Sequence, residues 1–476
     1  MFPYPVSFLG NADEAFSTKF LEFDGVDDYI ETPAVFSLLD GLSNFAFSFW
    51  FKPSTFVDKQ SLFWIDGTSA TTDYAQTQLI LRPNYLIWYF NNIGYYVYSN
   101  IGNPLVADTW YHVLCTRDDS RATGDKARIY IDGVNESQYD SSRHLGTLDT
   151  STSGLKIGDG DYRLPFSGNI DEFAVYNQDM AAYVSEIYNS GTPDDLNNLA
   201  TAPAPNLWYR MGENATFKSP QILMPENTNK DKVSNYSMAF DGINDYVDLG
   251  DFSTYDNGDL SCSFWMYKTG SINAHIISNS GSSSRAGFDI KINSSERLYL
   301  RCNTRTTTLQ SGWKNTTITD NAWFHIAITF DEAANEGKIY VNGVLISTIV
   351  GYSRTNSAST DLAIGSNSGG TSAFFTGKID EVSIFNSVKA IGDLWDGTGQ
   401  PTDLTGESGL VGYWKMGEDA TYDAVASEWT IPDQAGSNDG TSANMTIEDR
   451  VGDAPGSENN SLSYNMDAAD IVEETP

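Results

Sequence analysis

The chain has 476 residues, enough for two or three domains with cores of their own. Against 28 Lys and Arg stand 63 Asp and Glu, a net charge of −35, which makes nucleic acid and anionic membranes poor partners because phosphate binding relies on Lys and Arg. Aromatic residues make up 13% and charged residues 19%, and with 40 glycines this is the profile of a turn-rich all-β protein.

No stretch approaches the roughly 20 apolar residues of a membrane helix. The opening MFPYPVSFLGNADEAF lacks the basic region and long apolar run of a secretion signal, so processing by a signal peptidase is not expected. Three cysteines make no disulfide framework. Cys115 and Cys262 fall in apolar strand segments and are expected as buried thiols, and Cys302 has no evident partner.

In chain order, an N-terminal arm (1–16) leads into KFLEFDGVDDYIETP, residues 19–33, which returns as YSMAFDGINDYVDLG at 236–250. FSFWFKP at 47–53 returns as SFWMYK at 263–268, and DTWYHVLCT at 108–116 as NAWFHIAIT at 321–329. RIYIDG at 128–133 returns as KIYVNG at 338–343, and SGNIDEFAVYN at 167–177 as TGKIDEVSIFN at 376–386. WYRMGENATF at 208–217 returns as YWKMGEDATY at 413–422. The offset drifts only from 217 residues (Asp24 to Asp241) to 205 (Met211 to Met416), so the chain holds two copies of one domain, residues 17–217 and 234–422. A repeat this long means tandem globular domains, since solenoid repeats run at roughly 20–50 residues.

Alternation predicts strands throughout. Asp132-Gly133 and Asn342-Gly343 close alternating segments and predict β-hairpins with type I′ turns. Asp179 to Ile187 and its twin Ser387 to Trp395 predict one short helix per copy, stopped near Gly191 and Gly397. Residues 218–233 read as a linker. Residues 423–476 read as a tail, or as the truncated start of a third copy, because Ser461-Leu462-Ser463-Tyr464-Asn465-Met466-Asp467 echoes Tyr236 to Asp241.

The ordered motifs F-D-G-x-x-D-Y, S-F-W, W-Y/F-H-x-x-x-T, I-Y-V/I-D/N-G and G-x-I-D-E resemble the laminin-G-like, concanavalin A-like jelly-roll family, twice over most of the chain. The resemblance implies two tandem all-β sandwiches of curved antiparallel sheets, with ligand or calcium sites on loops and on the concave face. Virion surface proteins carry similar copies, so it also implies glycan-reading domains on a larger particle.

Strand alternation places Asp171 on a face with Phe173 and Val175, and Asp380 with Val382 and Ile384. A carboxylate on an apolar face must be hydrogen-bonded or metal-bound. Either it accepts amides from a neighbouring turn, or it is a calcium ligand together with Asp24, Asp27 and Asp28 in the first copy and Asp241, Asn244 and Asp245 in the second. The consecutive Asp171 and Glu172 are expected on opposite faces, which argues against the facing carboxyl pair a glycosidase needs. His112 and His325, repeated in place, read as architectural. No nucleophile–base motif occurs, and no catalytic activity is expected.

One segment differs between the copies. The first has Tyr85-Leu86-Ile87-Trp88-Tyr89-Phe90 and then Tyr95-Tyr96-Val97-Tyr98, whereas the second is polar there. Either Trp88 and Phe90 or Tyr85 and Tyr89 must face outward, where they are covered by a loop, form a protein interface or stack on a sugar. The expected role is recognition or assembly: a virion surface component in a homo-oligomer or larger assembly, contacting glycans or other virion proteins. The alternative is an extracellular calcium-dependent lectin.

Overall fold

The computed structural model describes the chain except residues 1–15, 33–36, 67–75, 84, 91–94, 100–101, 103, 141–146, 151–153, 161–162, 253, 255–257, 280–287, 304–307, 311, 352–360 and 475–476. Nearly all regular structure is antiparallel strand, in two units of two sheets each, as the sequence predicts.

In the first unit one sheet centres on Asn44–Pro53, flanked by Tyr111–Asp118 and Ser167–Tyr176. Phe45, Phe47, Phe49 and Phe51 all point inward from Asn44–Pro53 and are fully buried. They meet the second sheet ring to ring, with Phe47 stacked on Phe63 at 4.3 Å. Each phenyl buried this way contributes about 1.5–3 kcal/mol, which is why period-2 alternation suffices to fix the sheet's inner face. The second unit repeats the arrangement around Leu260–Lys268, Trp323–Asp331 and Thr376–Phe385. Cys115 and Cys262 are free buried thiols in these central strands. The side chain of Cys302 lies outside the described residues.

The hairpins turn as predicted. Asp132 and Gly133 have φ of 49° and 76°, and Asn342 and Gly343 have 45° and 73°, the two successive positive values that a type I′ turn requires. The short helices fall where expected but are briefer: Val184–Tyr188 after a 3₁₀ turn, and Ile391–Leu394. His112 and His325 are buried among aromatic rings, and burial pulls both imidazoles down to about 3, so they are neutral sheet residues.

The tail and linker differ from the sequence reading. Residues 221–228 and 461–476 belong to the first unit, and 229–460 belong to the second. In the second unit Gly440–Ala443 lies between Tyr246–Asp251 and Glu428–Ile431. In the first unit the equivalent place, between Tyr29–Glu31 and Gln221–Met224, is filled by Ser461–Tyr464 from the chain's far end. The details match. Asn444 Nδ2 donates to Asn244 O, and Asn465 Nδ2 donates to Asp27 O, both at 2.9 Å. Each asparagine is followed by a capping box, Thr446 with Asp449 and Asp467 with Asp470. The C-terminal segment is therefore neither a free tail nor a third copy. It supplies closing strands of the first, Ser461–Tyr464 in one sheet and Ile471–Glu473 in the other, and the second copy is inserted into the first in sequence.

Candidate functional site

Two kinds of place carry chemistry. The first is a face of the first unit's larger sheet. Thr77–Leu81, Leu86–Phe90 and Tyr95–Ser99 are adjacent strands, with Tyr89 opposite Gln78 and Tyr96, and Ile87 opposite Ile80 and Tyr98. Alternation sends Leu79, Trp88, Phe90 and Val97 into the core, all fully buried, and Trp88 Nε1 donates to Thr77 Oγ1 at 2.8 Å. Of the two possible outward sets, the half-buried tyrosines are therefore the outward one; Trp88 and Phe90, candidates for ligand contact in the sequence, are core residues.

Tyr85, Tyr89, Tyr96 and Tyr98 line an open cavity of about 490 Å³ floored by Ile80 and Ile87 and edged by Lys59, Arg82 and Arg163. Ring centroids stand 5.6 Å apart for Tyr89–Tyr96 and 6.2 Å for Tyr85–Tyr98, so the rings form a wall rather than a filled core. The side chain of Tyr95 lies outside the described residues. The three cations were not singled out in the sequence, because Lys59 and Arg163 are remote from the aromatic run and only the fold brings them to it.

The second kind of place is a buried carboxylate group in each copy. Between Asp171 and Ala174 the pairing with Asn44–Pro53 slips by one residue, a β-bulge, and Glu172 has φ of 51°. The same slip occurs at Asp380, with Glu381 at φ 49°. The bulge breaks the alternation that would send the two carboxyls apart. Asp171 and Glu172 are both buried, and with Glu213 they bring one oxygen each within 4.8 Å of one another; Asp380, Glu381 and Glu418 do the same.

Ser17 Oγ donates to Asp171 Oδ2 at 2.5 Å, and Ser234 Oγ to Asp380 Oδ2 at 2.6 Å. The amide of Lys19 donates to Glu213 at 2.7 Å, and that of Tyr236 to Glu418 at 2.7 Å. The strand-start amides hold Glu213 and Glu418, whereas Asp171 accepts from the Ser17 hydroxyl and from the adjacent amide of Glu172 at 2.8 Å, not from the Phe-Asp-Gly turn. The copies differ in compensation. Glu172 accepts from Trp208 Nε1 at 2.7 Å and from the Arg210 guanidinium at 3.2 Å. Glu381 accepts from the Tyr413 hydroxyl, while Asp380 Oδ1, Glu381 Oε1 and Glu418 Oε2 are buried with no hydrogen-bond partner among the described residues. Burial, then the neighbouring carboxylates, pushes Asp171 and Asp380 well above the usual carboxylate range, and burial pushes Glu172 and Glu418 up to about 8.

The structure does not bring Asp171 to Asp24, Asp27 and Asp28. Asp24 pairs with Ser167, four residues along the strand from Asp171, roughly 13 Å at strand spacing. The turn carboxylates form a group of their own, with Asp24 Oδ1 accepting from Val26 N at 2.6 Å and Asp28 Oδ2 from Asp24 N at 2.8 Å. Asp241, Asn244 and Asp245 repeat this turn, Asp241 Oδ1 accepting from Ile243 N at 2.7 Å and Asn244 N at 3.1 Å. Burial raises Asp28 and Asp245 to about 7. Glu213 and Glu418 were missed in the sequence, although both end the repeated M-G-E motif.

The bulge also removes the argument from strand direction against catalysis. Burial replaces it: the cavity that touches Glu172 measures about 10 Å³, room for one water and not for a sugar ring.

The chain belongs to the concanavalin A-like lectin/glucanases superfamily, whose laminin-G-type model matches residues 24–183 and 241–390. Among solved structures it is similar to domains LG4-5 of the mouse laminin α1 chain (12% identity, TM-score 0.27, covering 79% of this chain and 90% of that one). It is similar to a provisionally assigned carbohydrate binding protein of Bacteroides ovatus (13%, TM-score 0.34, 89% and 99%). A third is the CBM40 domain of the Ruminococcus gnavus IT-sialidase bound to α2,3-sialyllactose (15%, TM-score 0.28, 34% and 98%). At these values none assigns a ligand to this chain. A comparison with curated proteins gives no match.

Proposed function

We propose that the protein is a non-catalytic carbohydrate-binding protein whose binding site is the tyrosine-lined cavity of the first copy. The observation that carries this is the open cavity of about 490 Å³ walled by Tyr85, Tyr89, Tyr96 and Tyr98 on the sheet face turned away from the core. Such rings offer flat apolar faces for a sugar's C–H surface and hydroxyls for its edges, in a volume suited to a few sugar units. Membership of a family of lectins and glucanases supports the same reading. The test is a glycan array on the whole chain, followed by calorimetry with Tyr89→Ala. Loss of glycan binding with an unchanged melting temperature supports the reading, and no bound glycan overturns it.

The setting we infer is a larger assembly, with a virion surface as the finer proposal and an extracellular lectin as the alternative. The −35 charge and the free buried thiols Cys115 and Cys262 are compatible with both. Light scattering on the purified chain separates an assembly component from a monomeric lectin.

Calcium belongs to this reading as a proposal. The second copy's buried group suits it best, because three of its carboxylate oxygens lack partners among the described residues and Glu418 keeps a partly exposed edge as an entry path. Three atoms within 4.8 Å of one another leave a point within about 2.8 Å of all three, close to calcium's oxygen distance.

A further inference from the structure

We infer that the cavity of the first copy takes an acidic saccharide, one carrying carboxylate or sulfate groups, rather than a neutral one; this rests on the carbohydrate reading of the same cavity. Among the described residues, nine line it, and they include Lys59, Arg82 and Arg163 but no Asp or Glu. In a chain with 63 acidic residues against 28 basic ones, such a lining runs against the composition.

The cations are placed to reach a ligand. Arg82 Nη1 bonds Asp58 Oδ1 at 2.5 Å, where Asp58 is 53% exposed, and the guanidinium also bonds Tyr89, which ties it to the cavity wall. Arg163 Nε donates at 3.2 Å to Oε1 of Gln78, which is 1% exposed, so a neutral buried side chain aims the guanidinium. A guanidinium fork matches the two oxygens of a carboxylate or sulfate, and such charged bonds are roughly twice as strong as neutral ones.

The second copy supplies the contrast. Its strands Phe288–Ile292 and Arg297–Asn303 pair in the same register, Asp289 opposite Arg301 where the first copy has Gln78 opposite Tyr89. There Asp289 is buried and faces the Arg301 guanidinium, the His275 ring at 3.3 Å and the Lys291 ammonium at 3.9 Å. The second copy spends its cations on its own carboxylate. The first copy has the neutral Gln78 in that place, which gives Arg163 a hydrogen bond rather than a countercharge, and tyrosines form the rest of the wall.

The experiment is an array of neutral, carboxylated and sulfated glycans probed with the whole chain. Calorimetry of the strongest binder follows, against wild type, Arg82→Gln, Arg163→Gln and Tyr89→Ala. The expected result is binding confined to acidic glycans, weakened at least about tenfold by either arginine change and by carboxyl reduction or desulfation of the same glycan. The carboxylated and sulfated arms show which group is read. Should an arginine variant fail to fold, Lys59→Gln at the exposed rim serves in its place. Neutral glycans bound as well as acidic ones, and unaffected by these changes, would overturn the inference and leave the carbohydrate reading standing. No bound glycan overturns both.

Discussion

The amide of Ile222 donates to Ser463 Oγ at 2.8 Å across 241 residues of sequence, and in the second copy the amide of Trp429 donates to Ser442 Oγ at 2.8 Å across 13. One hydrogen bond in one fold is closed locally in one copy and by the chain terminus in the other. Leu462 and Met466 from that terminus are buried, and Met466 lies in the first copy's core.

Truncation after Asn460 is therefore expected to destabilise the first copy and spare the second. Met466→Ala alone should cost the first copy about 2–5 kcal/mol, the usual cost of cutting back a buried side chain. Calorimetry with hydrogen exchange checks this. Slowly exchanging amides in Asn44–Pro53 of the truncated chain would sink the idea, whereas those in Leu260–Lys268 should stay protected.

Neighbouring residues on one strand should behave oppositely. Trp88→Ala is expected to cost about 3–5 kcal/mol through the cavity it leaves. Tyr89→Ala, at a half-buried outward ring, should cost no more than about 1 kcal/mol and weaken glycan binding. Denaturant melts and calorimetry on the two variants decide it, and equal losses of stability would contradict the assignment of faces.

The buried group of the second copy predicts a pH dependence. Glu418 is raised to about 8 and Asp380 well above its usual range, both by burial first. The folded form then binds protons more tightly than the unfolded chain, whose carboxyls titrate near about 4. The contribution to stability is full below about pH 4 and is lost as pH rises through about 8. In EDTA, the melting temperature of wild type minus that of Glu418→Gln should fall across this window. A difference that rises or stays flat would contradict the raised titration of the buried Glu418 carboxyl.

Calcium should act on the same group. Binding only the folded form, it is expected to raise the melting temperature above about pH 8, where Glu418 is ionised, and EDTA should reverse the rise. Glu418→Gln should abolish the effect, while Asp24→Asn at the exposed turn should preserve it. No shift with millimolar calcium in wild type would remove calcium from the reading.

Much of the fold was legible in the sequence. Six ordered echoes gave the two copies, alternation gave the strands, and Asp132-Gly133 and Asn342-Gly343 gave the turns. These signals are local, set by side-chain period and by which residues tolerate positive φ, so they survive without coordinates. The candidate sites were legible only in part. The repeated Ile-Asp-Glu marked a buried carboxylate, but alternation misplaced Glu172, because a one-residue slip in pairing depends on the partner strand.

By itself the sequence determined the repeat, the all-β class and the aromatic strand that only the first copy has. Tertiary structure alone decided which face of that strand meets solvent, that Lys59, Arg82 and Arg163 border it, and that residues 461–476 complete the first copy. The physical reason is range. Period and turn chemistry act over a few residues, whereas strand partners and cavity walls are chosen by burying the most apolar surface, a sum over positions hundreds of residues apart.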